Sequence, residues 1–196
     1  LKEKPESMLI VGSGAIGSEF AYIYNSMGTE VTLVEFLPNL VPNEDKDVSK
    51  QLERSFKKSK IKVMTKSSVK EVKVKDGKCH VKIETKKGEE EKVVDVVLSA
   101  VGVTPNLENI GIEDMGIELE KGKVKVDEYY KTNVEGVYAI GDIVHGPALA
   151  HVASAEGIAC VEKIAGENPD PIDYGNIPGA VYSIPEIGSV GMTEEQ

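Results

Sequence analysis

The sequence predicts an α/β fold, a parallel sheet followed by a β-meander, on three observations. Residues 8–35 read strand, glycine turn, helix, strand, and end on an acid. Residues 69–98 switch to alternating apolar and charged residues, punctuated by Asp76-Gly77 and Lys87-Gly88. Residues 137–166 return to an apolar run followed by a helical pattern. Periods of about 3.6 and 2 distinguish helical from extended segments.

The first unit is the most informative. Met8 to Val11 is an apolar run long enough for one buried strand. Gly12, Gly14 and Gly17 then give G-x-G-x-x-G, and Phe20, Ala21, Tyr24 and Met27 continue at helical spacing until Gly28. Val31 to Val34 is a second strand, ending on Glu35, which follows Gly17 by 18 residues. Each type has a physical task. Gly12 permits the tight turn, Gly14 lets a pyrophosphate approach the backbone, and Gly17 lets the helix pack close to the strands. Free N–H groups and the dipole at the helix start favour phosphates. An acid at the end of the second strand accepts hydrogen bonds from adenosine ribose hydroxyls and repels a 2′-phosphate, so the expected ligand is NAD(H). A lone G-x-G-x-x-G also occurs in plain glycine turns, but here strand, helix and acid all fall where the motif needs them. That pattern is Rossmann-like.

The remaining elements follow in order. Residues 1–7 read as a linker containing Pro5. Pro38 and Pro42 mark a loop, and Asn43 is the expected N-cap of a helix to about Ser59. Its acids Glu44, Asp45 and Asp47 start the first turn, Val48, Leu52 and Phe56 form the apolar face, and Lys57 and Lys58 suit the end of the dipole. Ile61 to Met64 is the next strand. Val72 and Val74, then Cys79, Val81 and Ile83, alternate with charged or polar neighbours, and Val93 to Leu98 is expected as one nearly continuous buried strand. Gly102 lies past its carboxyl end, where ligands sit in open α/β sheets. A further strand is expected over Val124 to Val126. Another is expected over Val137 to Asp142, ending in Gly-Asp and placing an acid for a ribityl or ribose hydroxyl. His151 to Gly166 is helical, and the small residues Ala148, Ala150, Ala153, Ser154 and Gly157 permit close approach of a ligand or a helix. Pro169, Pro171, Pro178 and Pro185 then mark a connector.

Composition excludes several function classes. A hydrophobic content of 40% suffices for a core, whereas 5% aromatics and no Trp argue against stacking platforms for bases. The net charge of −10 argues against nucleic acid and anionic membranes as partners. No apolar run approaches the length of a membrane span, and no signal-peptide pattern is read. Cys79 and Cys160 form no C-x-x-C pair, so a reducing compartment fits. His80, His145 and His151 lack zinc-ligand spacing with them, so no metal site is expected, and His80 reads as a solvated strand position. A chain beginning at Leu1, and closing on a helix-start pattern at Thr193-Glu194-Glu195, is expected to be a piece of a longer protein.

VGSGAIGSEF, VEF at 34–36, AVGVTPN, TNVEGVYAIGD and HGPALAHVASAEG occur in this order along the chain. In these blocks the chain resembles the pyridine nucleotide-disulfide oxidoreductases over essentially its whole length, and within them the dihydrolipoamide dehydrogenases. Gly141 to His151 is the most specific block. The resemblance implies that Gly12, Ser13, Gly14, Ala15, Ile16, Gly17, Ser18 and Glu19 wrap the NAD phosphates, with Glu19 toward the nicotinamide. It implies Glu35 on the adenosine ribose, Val69 near the adenine and Gly102 lining the site. It further implies Asp142 on the ribityl chain of FAD, with Ala148, Leu149, Ala150 and His151 approaching the isoalloxazine largely through backbone. No catalytic residue is assigned. The family's redox cysteine pair and its FAD glycine motif are expected ahead of residue 1, and its catalytic His and Glu after Gln196. FAD is accordingly expected only in the full-length protein. The implied domains are 1–105 for NAD, 106–170 as the C-terminal part of the FAD-binding domain, and 171–196 as the truncated start of an interface domain. The implied parent activity reoxidises dihydrolipoyl groups of 2-oxo acid dehydrogenase complexes, passing electrons through a disulfide and FAD to NAD. Its implied partners are lipoyl domains, the acyltransferase core and a second copy in a homodimer, in a bacterial cytoplasm or the mitochondrial matrix. Two other readings stay open: the NAD-binding part of another flavin disulfide reductase, NADH oxidase or transhydrogenase, and a dinucleotide-binding module without turnover.

Overall fold

The structure, a computed structural model, describes residues 1–194 and 196. The helix start expected at Thr193 includes Glu195, which lies outside the described residues. Two units form, residues 1–102 with 178–196, and residues 103–177.

The first unit begins with β1 (Ser7–Val11), α1 (Ala15–Ser26), β2 (Glu30–Val34), α2 (Lys46–Lys58) and β3 (Lys62–Met64). The meander follows as β4 (Ser68–Lys75), β5 (Lys78–Thr85) and β6 (Gly88–Val94), and β7 (Val96–Ser99) returns to the first sheet. That sheet has the order β3-β2-β1-β7, and each neighbouring pair is parallel. Alternate residues of β1 enter different cores. Met8 and Ile10 join Ala21 of α1 and Leu52 and Phe56 of α2, while Leu9 joins Val81, Ile83 and Val94 of the meander. A sheet covered on both faces needs strands that are apolar on both faces, which is why β1 reads as a continuous apolar run.

Local details differ from expectation at three places in this unit. The cap of α2 is Asp45, not Asn43: Asp45 Oδ1 accepts the N–H of Asp47 at 2.8 Å. Residues 41–44 are spent on a turn, closed by the Glu44 N–H on the Val41 carbonyl at 2.9 Å. The run Val93 to Leu98 is two strands, not one. β6 pairs antiparallel with β5, β7 pairs parallel with β1, and Asp95 stands at the break. Its Oδ2 accepts the N–H and the hydroxyl of Ser7 at 2.8 and 3.0 Å, and its carboxylate pairs with Lys78. His80 lies on β5 as expected, with Nδ1 at 3.2 Å from Glu91 rather than solvated alone.

The second unit has little regular sheet. β8 (Leu119–Glu120) and β9 (Lys123–Val124) make a short hairpin, and α3 spans Ala150–Ile164. The strand expected over Val124 to Val126 thus stops after Val124. The strand expected over Val137 to Asp142 is reduced to a single bridge, Lys131 with Tyr138, and Gly141–Ile143 is a 3₁₀ turn. Gly136 and Gly141 have φ of +76° and +75°, outside the extended region, and the Gly141 N–H is taken by a carboxylate instead of a ladder. Leu107, Ile112, Val124 and Val144 form one core cluster, and Tyr130, Ala159 and Cys160 another. The chain then rejoins the first unit through the antiparallel pair β10 (Gly179–Val181) and β11 (Ile187–Ser189). No helix among the described residues is long and apolar enough to cross a membrane.

Candidate functional site

In the first unit the three motif glycines stand in different surroundings. A Cβ on Gly12 would lie 2.5 Å from the Ala100 carbonyl oxygen, and its φ of +95° disfavours any L side chain. A Cβ on Gly17 would lie 1.9 Å from the Gly12 oxygen. Both are therefore glycine because the protein's own backbone fills the space. Gly14 differs. Its φ of −62° suits any residue, and outside its chain neighbours and its own helix no described atom lies within 4 Å of a Cβ built there. Neither conformation nor packing within the described residues demands a glycine at position 14. Gly14, Ala15 and Ile16 are exposed, and no described side chain caps the start of α1. An uncapped helix start leaves N–H donors available to an anion.

This turn sits at the carboxyl ends of β1 and β7, where the strand order reverses, the position at which open sheets make a crevice. Gly102, with φ of +126°, follows β7 there and has nothing described within 4 Å of a Cβ.

Glu35, 7% exposed, directly follows β2 one strand over. Its Oε2 accepts the N–H and the hydroxyl of Ser13, both at 2.8 Å, and its Oε1 accepts the Leu37 N–H at 2.7 Å. Ser13 is fully buried, and its carbonyl accepts the Ser18 hydroxyl at 3.0 Å and the Val41 N–H at 2.9 Å. The acid and the glycine turn are thus one hydrogen-bonded body. Glu19, on the second turn of α1, accepts the Tyr182 N–H at 3.0 Å.

Beyond Glu35 a cleft of about 310 Å³ is lined by Phe36, Lys66, Ser67, Ser68, Glu84, Thr85 and Lys86. Phe36 is 74% exposed. Phe36 belongs to the VEF block at 34–36, in which only Glu35 is expected to bind; an aromatic directly after the acid is the signal that could have pointed to it. Val69 does not line the cleft. It packs partly buried against the meander core, and its neighbour Ser68 faces the opening.

The second unit holds the other expected residues. Asp142 is exposed in the 3₁₀ turn, Ala148 and Leu149 precede α3, and Ala150 and His151 open it. Behind them lies a buried polar network that periodicity could not reveal. Glu156, 1% exposed, accepts the Gly141 N–H on Oε2 and the Tyr174 hydroxyl on Oε1, each at 2.6 Å. Tyr130 completes the chain through its hydroxyl, 3.1 Å from that of Tyr174. Burial, then the bond to Glu156, pushes the Tyr174 hydroxyl strongly up from its ordinary value, and burial also raises that of Tyr130. Burial also raises the Cys160 thiol, so this cysteine stays protonated and unreactive near neutral pH. Cys79 and Cys160 are both free thiols. Among the described residues no group of three or more His, Cys, Asp or Glu is placed to hold a metal.

A family model described as pyridine nucleotide-disulphide oxidoreductase matches residues 1–157. The dihydrolipoyl dehydrogenase of Rhizobium etli is 44% identical over 192 residues, covering 97% of this chain and 40% of that protein. The mitochondrial dihydrolipoyl dehydrogenase 1 of Arabidopsis thaliana is 42% identical over 199 residues, covering 100% and 39%. Among solved structures, LpdA from Mycobacterium tuberculosis matches with a TM-score of 0.90 at 30% identity, covering all of this chain and 42% of that one. The HOCl-induced flavoprotein disulfide reductase RclA from Escherichia coli matches with a TM-score of 0.91 at 26% identity, covering 100% and 45%. The chain spans about two fifths of the length of the curated relatives it matches.

Proposed function

The chain belongs to the pyridine nucleotide-disulphide oxidoreductase family, and from that premise we propose that it is the NAD-binding portion of a flavin-dependent dihydrolipoyl dehydrogenase. The observation that carries the reading is Gly14, a glycine with no internal reason to be one, exposed at an uncapped helix start. A pyrophosphate resting on the N–H groups of residues 14–17 supplies the missing reason. Glu35 then accepts an adenosine ribose hydroxyl, and Phe36 and the adjoining cleft take the adenine side. Glu19 and Gly102 belong to the same surface. In the second unit, Asp142 and the start of α3 at Ala148, Leu149, Ala150 and His151 form one wall for FAD.

When bound, these cofactors supply the redox chemistry. The chain's own residues bind and orient, and none is assigned a catalytic role. The proposed parent reaction reoxidises dihydrolipoyl groups carried by lipoyl domains on the acyltransferase core of a 2-oxo acid dehydrogenase complex. The parent works as a homodimer in a bacterial cytoplasm or the mitochondrial matrix. Residues 1–105 serve NAD, 106–170 complete an FAD-binding domain, and 171–196 begin an interface domain. The likeness to RclA supports a second reading, the same portion of another flavoprotein disulfide reductase. The higher identity to dihydrolipoyl dehydrogenases favours the first.

Isothermal titration of the purified chain with NADH and NADPH tests dinucleotide binding, and a dihydrolipoamide assay of the full-length protein separates the two readings. NADH should bind more tightly than NADPH by about 2–4 kcal/mol, from lost ribose hydrogen bonds and a phosphate set against a carboxylate. Glu35→Ala should narrow that gap. Equal affinity for both dinucleotides in the unsubstituted chain would remove the assignment.

A further inference from the structure

We propose that Ser13 is a specificity-setting positioning residue that acts through Glu35 to favour NADH over NADPH; this rests on the reading of the first unit as a dinucleotide site. The glycine motif would place Ser13 among residues that touch phosphate. Its surroundings say otherwise. Ser13 is fully buried. Its N–H and hydroxyl both donate to Glu35 Oε2 at 2.8 Å, and its carbonyl accepts from Ser18 and Val41. Every polar group of the residue is used inside the protein, so nothing is left to offer a pyrophosphate.

What Ser13 does is fix a carboxylate. An ionised carboxylate has roughly four acceptor positions. Ser13 takes both on Oε2, and the Leu37 N–H takes one on Oε1 at 2.7 Å. The open position lies on Oε1, which is therefore the oxygen that receives a ribose hydroxyl. Two donors on Oε2 also stop the group from turning to exchange its oxygens. Removing the Ser13 hydroxyl leaves Oε2 with one donor and frees the carboxylate to tilt. A ribose hydroxyl then loses a pre-aimed acceptor. NADPH carries a phosphate in place of the 2′-hydroxyl, so it has no 2′-hydroxyl bond to lose and is affected less.

The test compares the unsubstituted chain, Ser13→Ala, Glu35→Ala and the double variant, each titrated with NADH and with NADPH. Ser13→Ala should weaken NADH about fivefold while moving NADPH by less than about twofold, the scale expected when one charge-assisted hydrogen bond is impaired. In the Glu35→Ala background, Ser13→Ala should change NADH affinity by less than about twofold, because its target is gone. Ser13→Gly, which keeps the N–H donor and loses only the side chain, repeats the comparison should the alanine variant not fold. A change in packing alone would move both dinucleotides together, and that result overturns the proposal. An unsubstituted chain that selects NADH, with Ser13→Ala selecting it equally well, also overturns the role of Ser13 and leaves the NADH site standing. An unsubstituted chain that binds neither dinucleotide overturns both.

Discussion

Gly14 and Gly17, three positions apart in one motif, should respond in opposite ways to substitution. A Cβ at position 14 meets no described atom of the protein within 4 Å outside its chain neighbours and its own helix, and the position needs no unusual φ. Gly14→Val should leave thermal stability within about 1 kcal/mol, the range of exposed helix-start changes, and abolish NADH binding by filling the pyrophosphate's place. Gly17→Ala should instead unfold or strongly destabilise the first unit, since its Cβ would lie 1.9 Å from the Gly12 oxygen. Thermal melts and NADH titrations of the two variants check this, and unchanged NADH affinity in Gly14→Val would reduce Gly14 to a turn residue. The spacing of these glycines is legible in the sequence, because the motif is itself a record of strand, turn and helix in close contact. The pairing of Ser13 with Glu35 is not, because no local pattern links two residues brought together only by parallel pairing of β1 with β2. Glu156 escapes for a related reason. On the helix it reads as one more polar position, and only the fold supplies Gly141 and Tyr174 as partners.

At the scale of elements, the break at Asp95 is where reading by periodicity runs out. Val93, Val94, Val96, Val97 and Leu98 are apolar on both sides of one acid, so the run looks continuous although its halves belong to different sheets. The acid is a clasp. The Lys78 ammonium, then the N–H and hydroxyl of Ser7, hold its carboxyl well below the ordinary 3.8, at about 2. A carboxyl whose folded value is depressed contributes stability that is fully present above about pH 4 and is lost as pH falls toward 2. Asp95→Asn should therefore flatten the loss of stability between about pH 4 and 2 and leave the pH 5–7 region parallel to that of the unsubstituted chain. Urea midpoints measured across that range would show it, and an unaltered acid limb would mean the clasp does not hold in solution. The α2 helix shows the opposite case, with its apolar face and basic last turn readable at once. Only its cap moved, by two residues, because the turn at Val41 consumes Asn43.

The whole molecule is held by two different kinds of interior. The first unit is built on apolar layers either side of a sheet, whereas the second joins two small apolar clusters with a buried carboxylate bonded to Tyr174 and, through it, Tyr130. Glu156→Ala leaves the Tyr174 hydroxyl and the Gly141 N–H without their acceptor, at a cost on the order of 3 kcal/mol. Hydrogen exchange should lose protection across residues 103–177 and keep it in β1, β2 and β3, and Glu156→Gln, which retains an acceptor oxygen, should lose less. Uniform loss across both units would contradict a local role. The purified chain should also be colourless and inactive with dihydrolipoamide while binding NADH, since its one G-x-G-x-x-G helix start is claimed by the turn tied to Glu35. Flavin absorbance surviving gel filtration would count against that.

The two-sided burial of β1 has a consequence of its own. Its neighbours are apolar above and below, so sliding the strand one residue in the direction that brings Val11 into the place of Ile10 would send Leu9 to the helices and Ile10 to the meander with little loss of apolar burial. Water repulsion alone is indifferent between the two phases. What distinguishes them is polar and sits at the strand's two ends: the Ser7 clasp on Asp95 at one, and the Gly12 N–H on the Val34 carbonyl at 2.9 Å at the other. The interior sets how firmly this strand is held, and two small residues at its tips set where it stops.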